Sequence, residues 1–328
     1  MNLTLIGLDI VGASLCLALK TALKGSGAEI EIIGHDPNGE RVKRARQLGA
    51  IDKSHWNLPA SCEDADLVLL DLPLPEIEAT LRAIAGYLKE GCVLVDVVPL
   101  KRPVLELAER LLPQSVEYIG GHLVSPRLAG AAEPAEGLVQ DAVFYLVAPA
   151  SVTPQALNMV SNLVQAIGAT PCYIDAIEHD GIMAATAQLP LLGALAVFGA
   201  LEGQPGAEEL ARSYGAELAA LAAVLGARQA ATSAYELLAN TEGVLHWLDR
   251  YTQELQKLRN WLAEAGETAL EEHIRLACDT LATWAGAEPE PGSNEEAMPS
   301  VWRSMFLGSG MSWLRQGSHG RRGSKKES

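Results

Sequence analysis

The run LTLIGLDIVGASLCLALK near the N-terminus has the residue types of a phosphate-binding turn between a strand and a helix. Gly7 stands where the chain must turn after the strand, and Gly12 stands where the helix must pack closely on it. Ile10 and Val11 begin that helix, whose N-terminus would face the pyrophosphate of a dinucleotide. The spacing therefore predicts a dinucleotide site that includes Gly7, Ile10, Val11 and Gly12.

The middle glycine of the G-x-G-x-x-G pattern is replaced by Asp9. A carboxylate at this position adds bulk and a negative charge that faces two negative phosphates. Aspartate is also a preferred helix N-cap, so Asp9 could itself occupy the anion site. Two interpretations stay open: the domain has lost its dinucleotide, or the dinucleotide binds with a shifted phosphate.

Two more acids belong to the same predicted crevice. Asp36, in EIIGHDPNGER, closes the second predicted strand, where an acid binds the adenosine ribose and disfavours the extra phosphate of NADP. The same residue could instead cap the following turn. NAD is therefore the expected cofactor, while Arg41 and Arg44 keep NADP open. Asp71, in LVLLDLPL, adds negative charge at the carboxyl edge of the sheet.

A further candidate site residue is His122, in GGHLVSP. It directly follows a strand-like run, so its side chain is expected to face the crevice. The alternative is a surface or capping histidine.

The elements that position these residues follow from periodicity. Through residue 175, short β-branched runs alternate with helical patterns, which is typical of a doubly wound parallel sheet. Predicted strands are Leu3–Ile6, Glu29–Gly34, Asp66–Leu70, Val93–Val97, Glu117–Ile119, Val143–Val147 and Pro171–Ile174. Predicted helices are Ile10–Leu23, Glu40–Leu48, Glu76–Leu88, Val104–Leu111 and Pro154–Ile167. From 176 to 285 strand signals vanish, and the Ala/Leu/Glu-rich pattern predicts an all-α domain of four or five helices.

Composition excludes several classes of protein. The chain has 328 residues, 48% of them hydrophobic, and a formal net charge of −16. This length predicts two globular domains, and the negative charge argues against nucleic acid as a partner. Five scattered cysteines without a C-x-x-C pair predict a reducing, cytoplasmic location and no metal site. We expect no signal peptide, and we interpret the apolar stretch Ile182–Ala200 as a buried helix that does not insert into a membrane.

Residues 286–328 differ from the rest of the chain. The segment AEPEPGSNEEAMPS predicts a flexible linker, and VWRSMFLGSGMSWLRQ forms a short amphipathic patch ahead of the basic end GRRGSKKES. We expect this tail to be disordered or to dock weakly on its own protein. Binding of a partner by its aromatic and basic residues is the alternative.

Taken in order, several of these segments resemble the prephenate/arogenate dehydrogenases. They are the opening turn, GHDPNGERVKRARQLGAID, DADLVLLDLP, LVDVVPLKRPVLELAERLLP, YIGGHLVSP, IEHDGIMAA and LLANTEGVLHWLDRYTQELQKLRNWLAEAGETALEE. The resemblance covers roughly residues 1–285. It implies an N-terminal NAD(P)-binding domain and a C-terminal helical domain that forms a homodimer. The implied reaction is the oxidative decarboxylation of prephenate or arogenate on the way to tyrosine.

The resemblance also assigns roles to single residues. His122 matches the histidine that hydrogen-bonds the ring hydroxyl and assists proton removal. Lys101 matches a basic position after the fifth strand, and Asp96 matches the aspartate that ends that strand. Pro99 stands where the family usually has a catalytic serine or threonine.

The predicted substrate side departs further from the family. Gln188 and Leu191 stand where the family often carries two histidines, and only Gln188 keeps hydrogen-bonding capacity. The family's substrate-binding arginine falls near Val224, so Arg228, one helical turn away, is the candidate replacement. Ser125 could supply another polar group to the small-molecule substrate.

Four polar residues of the helical part are interpreted as structural. We interpret Glu178, His179 and Asp180 as helix caps and interdomain contacts, and Asn240 as a buried polar contact. Three hypotheses about function remain. The chain is a dehydrogenase of this family with degraded cofactor and substrate motifs, or it is a catalytically silent relative that acts as a dimeric binding or regulatory module. The third hypothesis is an enzyme that acts on another substrate with fewer negative groups.

Overall fold

A computed structural model describes residues 1–24, 29–226 and 228–285. The linker and tail predicted for residues 286–328, together with their predicted partner binding, lie outside the described residues. The described part belongs to one compact unit.

The N-terminal part is built on one eight-stranded sheet. Its strands are β1 (Asn2–Ile6), β2 (Glu31–His35), β3 (Lys53–Ser54), β4 (Leu67–Leu70), β5 (Val93–Asp96), β6 (Glu117–Val124), β7 (Val143–Val147) and β8 (Thr170–Tyr173). The strand order is β3-β2-β1-β4-β5-β6-β7-β8. Every pair is parallel except β6 and β7, which run antiparallel. The predicted doubly wound sheet is confirmed, with one antiparallel pair added.

Helices cover the two faces of this sheet, as is typical of parallel strands that are apolar on both sides. They are α1 (Ile10–Leu23), α2 (Gly39–Leu48), α3 (Leu74–Ile84), α4 (Arg102–Leu111) and α5 (Pro154–Ala166). Capping explains several of their starts. Asp9, Asn38 and Thr153 accept hydrogen bonds from the first turns of α1, α2 and α5, which satisfies amides that no helix carbonyl can reach.

The structure corrects the prediction at two strands. The strand β3 was missed because two polar residues carry no hydrophobic signal. The strand β6 continues past Ile119 to Val124, so His122 lies inside a strand and not after it. The glycines of YIGGHLV hide this extension. Gly121 is required there because a Cβ would lie 2.6 Å from the Asp96 carbonyl oxygen, and pairing with β7 supplies the hydrogen bonds.

Most of the described residues from Ala176 onward are helical. They form α6 (Ala176–Met183), α7 (Leu189–Leu201), α8 (Ala207–Arg212), α9 (Ala216–Leu225), α10 (Ala230–Ala239), α11 (Thr241–Ala263) and α12 (Glu267–Ala285), with a π-helical turn at Ala184–Gln188 between α6 and α7. The prediction of four or five helices was too low. Gly203, Gly206 and Gly226 have positive φ angles, which divide the Ala-rich sequence into shorter helices.

The helix α6, the π-helical turn and α7 run on continuously as Ala176–Leu201. Within the described part of the chain, this is the one helical segment that is long and apolar enough to cross a membrane, with a mean hydropathy of 1.7. Of the residues in its most apolar stretch, 33% are buried inside the protein. Its first turns contact α4, and its last part contacts α9 and α11. The expectation that it does not insert into a membrane stays a prediction.

Candidate active site

A cleft of about 340 Å³ opens at the carboxyl edge of the sheet, between the β1–α1 turn and β6. The side chains that line it are Asp9, Val11, Asp71, Leu72, Pro73, Val97, Val98, Pro99, His122, Leu123 and Leu128. Ligands of open parallel sheets bind in this position, outside the carboxyl ends of the strands. The cleft therefore brings the predicted dinucleotide turn and the predicted base His122 into one site.

His122 is the first member of a chain of three hydrogen-bonded side chains. Its Nδ1 lies 3.0 Å from Nε2 of His179, and Nδ1 of His179 lies 2.9 Å from Oδ1 of Asp180. The ring of Tyr145, which pairs with His122 across β6 and β7, packs edge-on against His179. Residues 57 positions apart in the sequence are thus placed in direct contact.

The order of this chain assigns the proton on each ring. A carboxylate only accepts, so Asp180 requires a proton on Nδ1 of His179. Nε2 of His179 then accepts from Nδ1 of His122, which leaves Nε2 of His122 as its unprotonated nitrogen. In this tautomer His122 can accept a proton in the cleft, as a general base must.

Asp180 is held by the N-terminus of α4. Its Oδ1 accepts from the Lys101 amide at 2.7 Å and its Oδ2 accepts from the Arg102 amide at 3.0 Å. The partial positive charge of a helix N-terminus favours an anion there. The contact also joins α6 to α4, so it links the helical part to the sheet part. The sequence pattern favoured structural roles for Asp180 and His179 and did not reveal their contact with His122. The adjacent acid and histidine in IEHDG were the available signal.

Lys101 occupies a different place from the one expected of a catalytic residue. Its side chain is 0% exposed, so it does not reach the cleft. The ammonium group donates to both oxygens of Asp96 and, at 2.5 Å, to the Gly121 carbonyl. The Tyr118 hydroxyl also donates to Asp96 at 3.2 Å. Lys101 therefore ties α4 to β5 and β6, and it positions the strand that carries His122.

Burial governs the protonation of this cluster. It raises the pKa of Asp96 to about 6, against the opposing effect of the Lys101 charge. It also lowers the pKa of Lys101. Burial lowers the pKa of His122 well below the ordinary 6.5, and the neighbouring His179 and Lys101 act in the same direction. The pKa of His179 is lowered for the same main reason, so both imidazoles are neutral near pH 7.

A pH profile tests this assignment. A base must be neutral to accept a proton, and a lowered pKa keeps His122 neutral as the pH falls through 6.5. We therefore expect the acid limb of kcat/KM, for a reaction in which His122 is the base, to lie clearly below pH 6.5. Steady-state rates between pH 5 and pH 8 check this. A limb centred at or above 6.5 would contradict the buried, neutral histidine.

The dinucleotide end of the cleft has the expected backbone shape. Gly7 adopts a φ of +85°, and a Cβ there would lie 2.0 Å from the carbonyl oxygen of Asp71. A Cβ on Gly12 would lie 2.7 Å from both Asp71 and Leu5 side-chain atoms. Both positions therefore require glycine, as a tight turn and close helix packing demand.

Three carboxylates around this turn accept hydrogen bonds from its backbone amides. Asp9 caps α1 by accepting from the Ile10 amide at 2.9 Å, and its Oδ2 lies 3.1 Å from the Arg41 guanidinium. Asp36 accepts from the Leu8 amide at 2.9 Å. Asp71 accepts from the Gly12 amide at 2.7 Å, and burial raises its pKa to about 7.

These residues fit a dinucleotide in shape. The glycine turn, the first amides of α1 and the acid at the end of β2 stand where that ligand needs them. The fit in charge is poorer, because Asp9 and Asp71 add negative charge beside a negative pyrophosphate.

The predicted substrate residues lie elsewhere. Gln188 is only 7% exposed. Its amide donates to the Glu236 carbonyl and accepts from Asn240, so it joins helices and presents no polar atom to the cleft. Ser125 accepts from the Arg127 amide and caps a short turn. Arg228 is exposed between α9 and α10, where its Nε donates to the Val224 carbonyl. Among the residues that the structure describes, none of these three lines the cleft around His122.

Two family models match this chain in succession. Residues 19–173 match "Prephenate dehydrogenase, nucleotide-binding domain", and residues 175–276 match "Prephenate dehydrogenase, dimerization domain". The chain belongs to the prephenate dehydrogenase family. The resemblance expected from the sequence is thereby confirmed. The first match begins after the turn that carries Asp9, and the change from one match to the next falls between the last strand and α6.

Individual members of the family are distant in sequence and close in fold. Prephenate dehydrogenase of Bacillus subtilis is 24% identical over 281 residues, which are 85% of this chain and 74% of that protein. Cyclohexadienyl dehydrogenase of Zymomonas mobilis is 25% identical over 84% of this chain and 92% of its own length. The crystal structure of Aquifex aeolicus prephenate dehydrogenase, in complex with hydroxyphenyl propionate and NAD+, has a TM-score of 0.76 at 20% identity, over 86% of this chain and 98% of that one. Synechocystis arogenate dehydrogenase has a TM-score of 0.70 at 20% identity, over 87% of this chain and 100% of that one.

Proposed function

We propose that this chain is an NAD-dependent dehydrogenase that oxidatively decarboxylates prephenate or arogenate in tyrosine biosynthesis. The observation that carries the proposal is the hydrogen-bonded chain from Asp180 through His179 to His122, which presents an unprotonated ring nitrogen in the cleft. A silent binding module has no need of this arrangement. The dehydrogenase names of the matched relatives also favour the enzyme over that alternative.

The chemistry divides between the residues and the cofactor. Nε2 of His122 accepts the proton of the ring hydroxyl as that oxygen begins to form a carbonyl bond. The bound nicotinamide would accept the hydride from the same ring carbon. The ring carboxylate then leaves as carbon dioxide, and its bonding electrons complete the aromatic ring as the ring carbonyl becomes a phenolate oxygen. That oxygen takes back the proton held by His122, which restores the neutral base. Asp180 and His179 contribute by holding His122 in its accepting tautomer and by stabilising the imidazolium that forms.

The apolar wall of the cleft supports this reaction. Val97, Val98 and Pro99 of the segment after β5 face it together with Leu123 and Leu128. Such a wall excludes water from the ring and suits a product that is aromatic. Pro99 donates no hydrogen bond, so His122 is the polar group that this wall presents to the ring hydroxyl.

NAD is the proposed cofactor, in preference to NADP. Asp36 lies at the end of β2 with its carboxylate 3% exposed and bound to the Leu8 amide. Both candidate cations for an extra phosphate are engaged with acids: Arg41 with Asp9 and Asp36, and Arg44 with Glu133. A negative site with neutralised arginines disfavours the extra phosphate of NADP. The residues Gly7, Ile10, Val11 and Gly12 of the β1–α1 turn are the proposed neighbours of the pyrophosphate.

A homodimer formed by the helical part belongs to the same proposal. The match to a dimerization domain covers α6 to α11 and part of α12. Large apolar side chains on these helices are exposed, among them Leu238 at 75%, Leu262 at 69% and Leu281 at 66%. Apolar patches of this kind mark protein–protein interfaces. A cytoplasmic location is proposed with it, supported by the free cysteines 16, 62 and 92 in the buried core.

The deciding experiment is turnover by the purified full-length chain. Prephenate and arogenate are each supplied with NAD or NADP, and the reduced cofactor and released carbon dioxide are measured. We expect equimolar reduced cofactor and carbon dioxide with one of the two substrates and with NAD. Dinucleotide binding without turnover of either substrate would overturn the proposed reaction and favour the silent module.

A further inference from the structure

In the β1–α1 turn, every second backbone amide donates a hydrogen bond to a carboxylate of the protein. The amide of Leu8 donates to Asp36, that of Ile10 to Asp9 and that of Gly12 to Asp71, at distances from 2.7 to 2.9 Å. Amides at the N-terminus of such a helix are the groups that bind phosphate. Three amides of this turn are therefore already satisfied by carboxylates of the protein.

The three acids differ in how their charge is balanced. Asp9 and Asp36 both lie within 4 Å of the Arg41 guanidinium. Asp71 arrives from the end of β4 and has no ion pair within the part of the chain that the structure describes. It is also wedged against α1, since its Cβ lies 2.7 Å from the position that a Cβ on Gly12 would take. Asp71 is thus the acid whose charge is least compensated in this cleft.

The charged and titratable groups around Asp71 come from every element that packs on it. Asp9 on the turn and Asp36 after β2 both disfavour its charge, and Arg41 on α2 favours it. Cys16 on α1 is a buried thiol whose pKa is raised to about 12, so it stays neutral. His122, on the opposite wall of the cleft, is neutral near pH 7. Burial of Asp71 itself raises its pKa to about 7, so this carboxyl changes its charge in the physiological range.

We propose that Asp71 controls dinucleotide affinity through its own protonation, so that the cofactor binds the protonated form and each binding event takes up a proton. This inference rests on the proposed function, because it concerns the cofactor of that reaction. When Asp71 is ionised, its carboxylate accepts the hydrogen bond of the Gly12 amide, and its negative charge repels a pyrophosphate beside it. When Asp71 is protonated, the repulsion is gone and its O–H can donate to an oxygen of the ligand.

The test is calorimetric titration of the full-length protein with NADH, which carries no group that titrates between pH 6 and pH 8. If only the protonated form binds, affinity falls about tenfold from pH 6 to pH 8. At pH 7.5, titrations in two buffers of different ionisation enthalpy measure the proton uptake directly. We expect uptake of a large fraction of one proton per site.

Two variants separate Asp71 from its neighbours. Asp71→Asn removes the titrating group, so affinity becomes independent of pH and proton uptake disappears. Asp9→Asn is the matched control, because Asp9 lies on the same turn but is 53% exposed. This variant removes one negative charge beside the ligand but keeps the titrating group. Affinity at pH 6 should therefore rise, and the pH dependence and proton uptake should remain, with their midpoint at a lower pH because Asp9 no longer disfavours the charge on Asp71.

The outcomes distinguish this inference from the proposed function. Wild-type binding with equal affinity at both pH values, or without proton uptake, overturns the role of Asp71 and leaves the dehydrogenase proposal intact. Absence of NADH binding by wild type and both variants at either pH overturns the dehydrogenase proposal and this inference with it. If Asp71→Asn fails to fold, as judged by its melting transition, the proton uptake of the wild type decides alone.

Discussion

Replacing His122 by asparagine is expected to lower kcat by about 10² to 10⁴-fold, the usual contribution of a positioned general base. The asparagine side chain keeps a polar group on β6 but cannot accept a proton at neutral pH. His122 lies on the opposite side of the cleft from the β1–α1 turn, so the dissociation constant for NADH should stay near the wild-type value. Steady-state kinetics with prephenate or arogenate, together with NADH titration, measures both quantities.

The companion variant is Asp180→Asn, which acts on His122 only through His179. An amide in place of the carboxylate can donate to Nδ1 of His179 and so reverse the tautomers along the chain. We expect kcat to fall and the acid limb of the pH profile to move, with KM for the substrate little changed. A His122→Asn enzyme with near wild-type kcat would refute the assigned base. If the pH profile of the Asp180→Asn enzyme is unchanged, Asp180 acts only as a helix cap and does not set the tautomer of His122.

Replacing Lys101 by methionine is expected to lower the free energy of unfolding by about 3–5 kcal/mol, because one partner of a buried ion pair is lost. The carboxylate of Asp96 would keep the Tyr118 hydroxyl as a donor but lose the ammonium group. A buried acid without its cation has a raised folded-state pKa, so it contributes less stability as the pH rises. The loss should therefore be larger at pH 8 than at pH 5, as urea denaturation at the two pH values would show.

Two further variants make this test specific. The double variant Asp96→Leu, Lys101→Met replaces the pair by apolar groups and should recover much of the loss. Lys20→Met removes the partner of the more exposed Asp52, which lies 2.6 Å from the Lys20 ammonium. This control should change stability by no more than about 1 kcal/mol. If Lys101→Met is no more destabilising than Lys20→Met, the ion pair does not hold β5, β6 and α4 together.

Much of the architecture could be predicted because it depends on local patterns. Strands buried on both faces appear as continuous apolar runs such as Leu67–Leu70. Helices are recognised by the helical spacing of their apolar residues and by their N-cap residues. The loss of strand signals after residue 175 placed the change to helices where the structure has it, at Ala176. Asp9, Asp71 and His122 were also identifiable, because each follows or lies within a strand that ends at one edge of the sheet.

The chemical state of the site could not be read from these patterns. Lys101 looked like a catalytic cation, but its burial and its contact with Asp96 depend on how α4 docks on the sheet. Gln188 was a candidate substrate ligand, but its amide nitrogen donates to the Glu236 carbonyl and its amide oxygen accepts from Asn240.

The sequence by itself predicted seven of the eight strands, the helices α1 to α5, the glycine turn after β1, and the acids and the histidine beside the cleft. Only the tertiary structure decided that β6 pairs antiparallel with β7 and that His179 meets His122. It also decided that Asp71 binds the Gly12 amide across 59 positions of the chain. The physical reason is range: helix and strand signals depend on neighbours a few residues apart. Protonation and hydrogen-bond partners depend instead on burial and on groups brought together only when the sheet, α4 and α6 have packed.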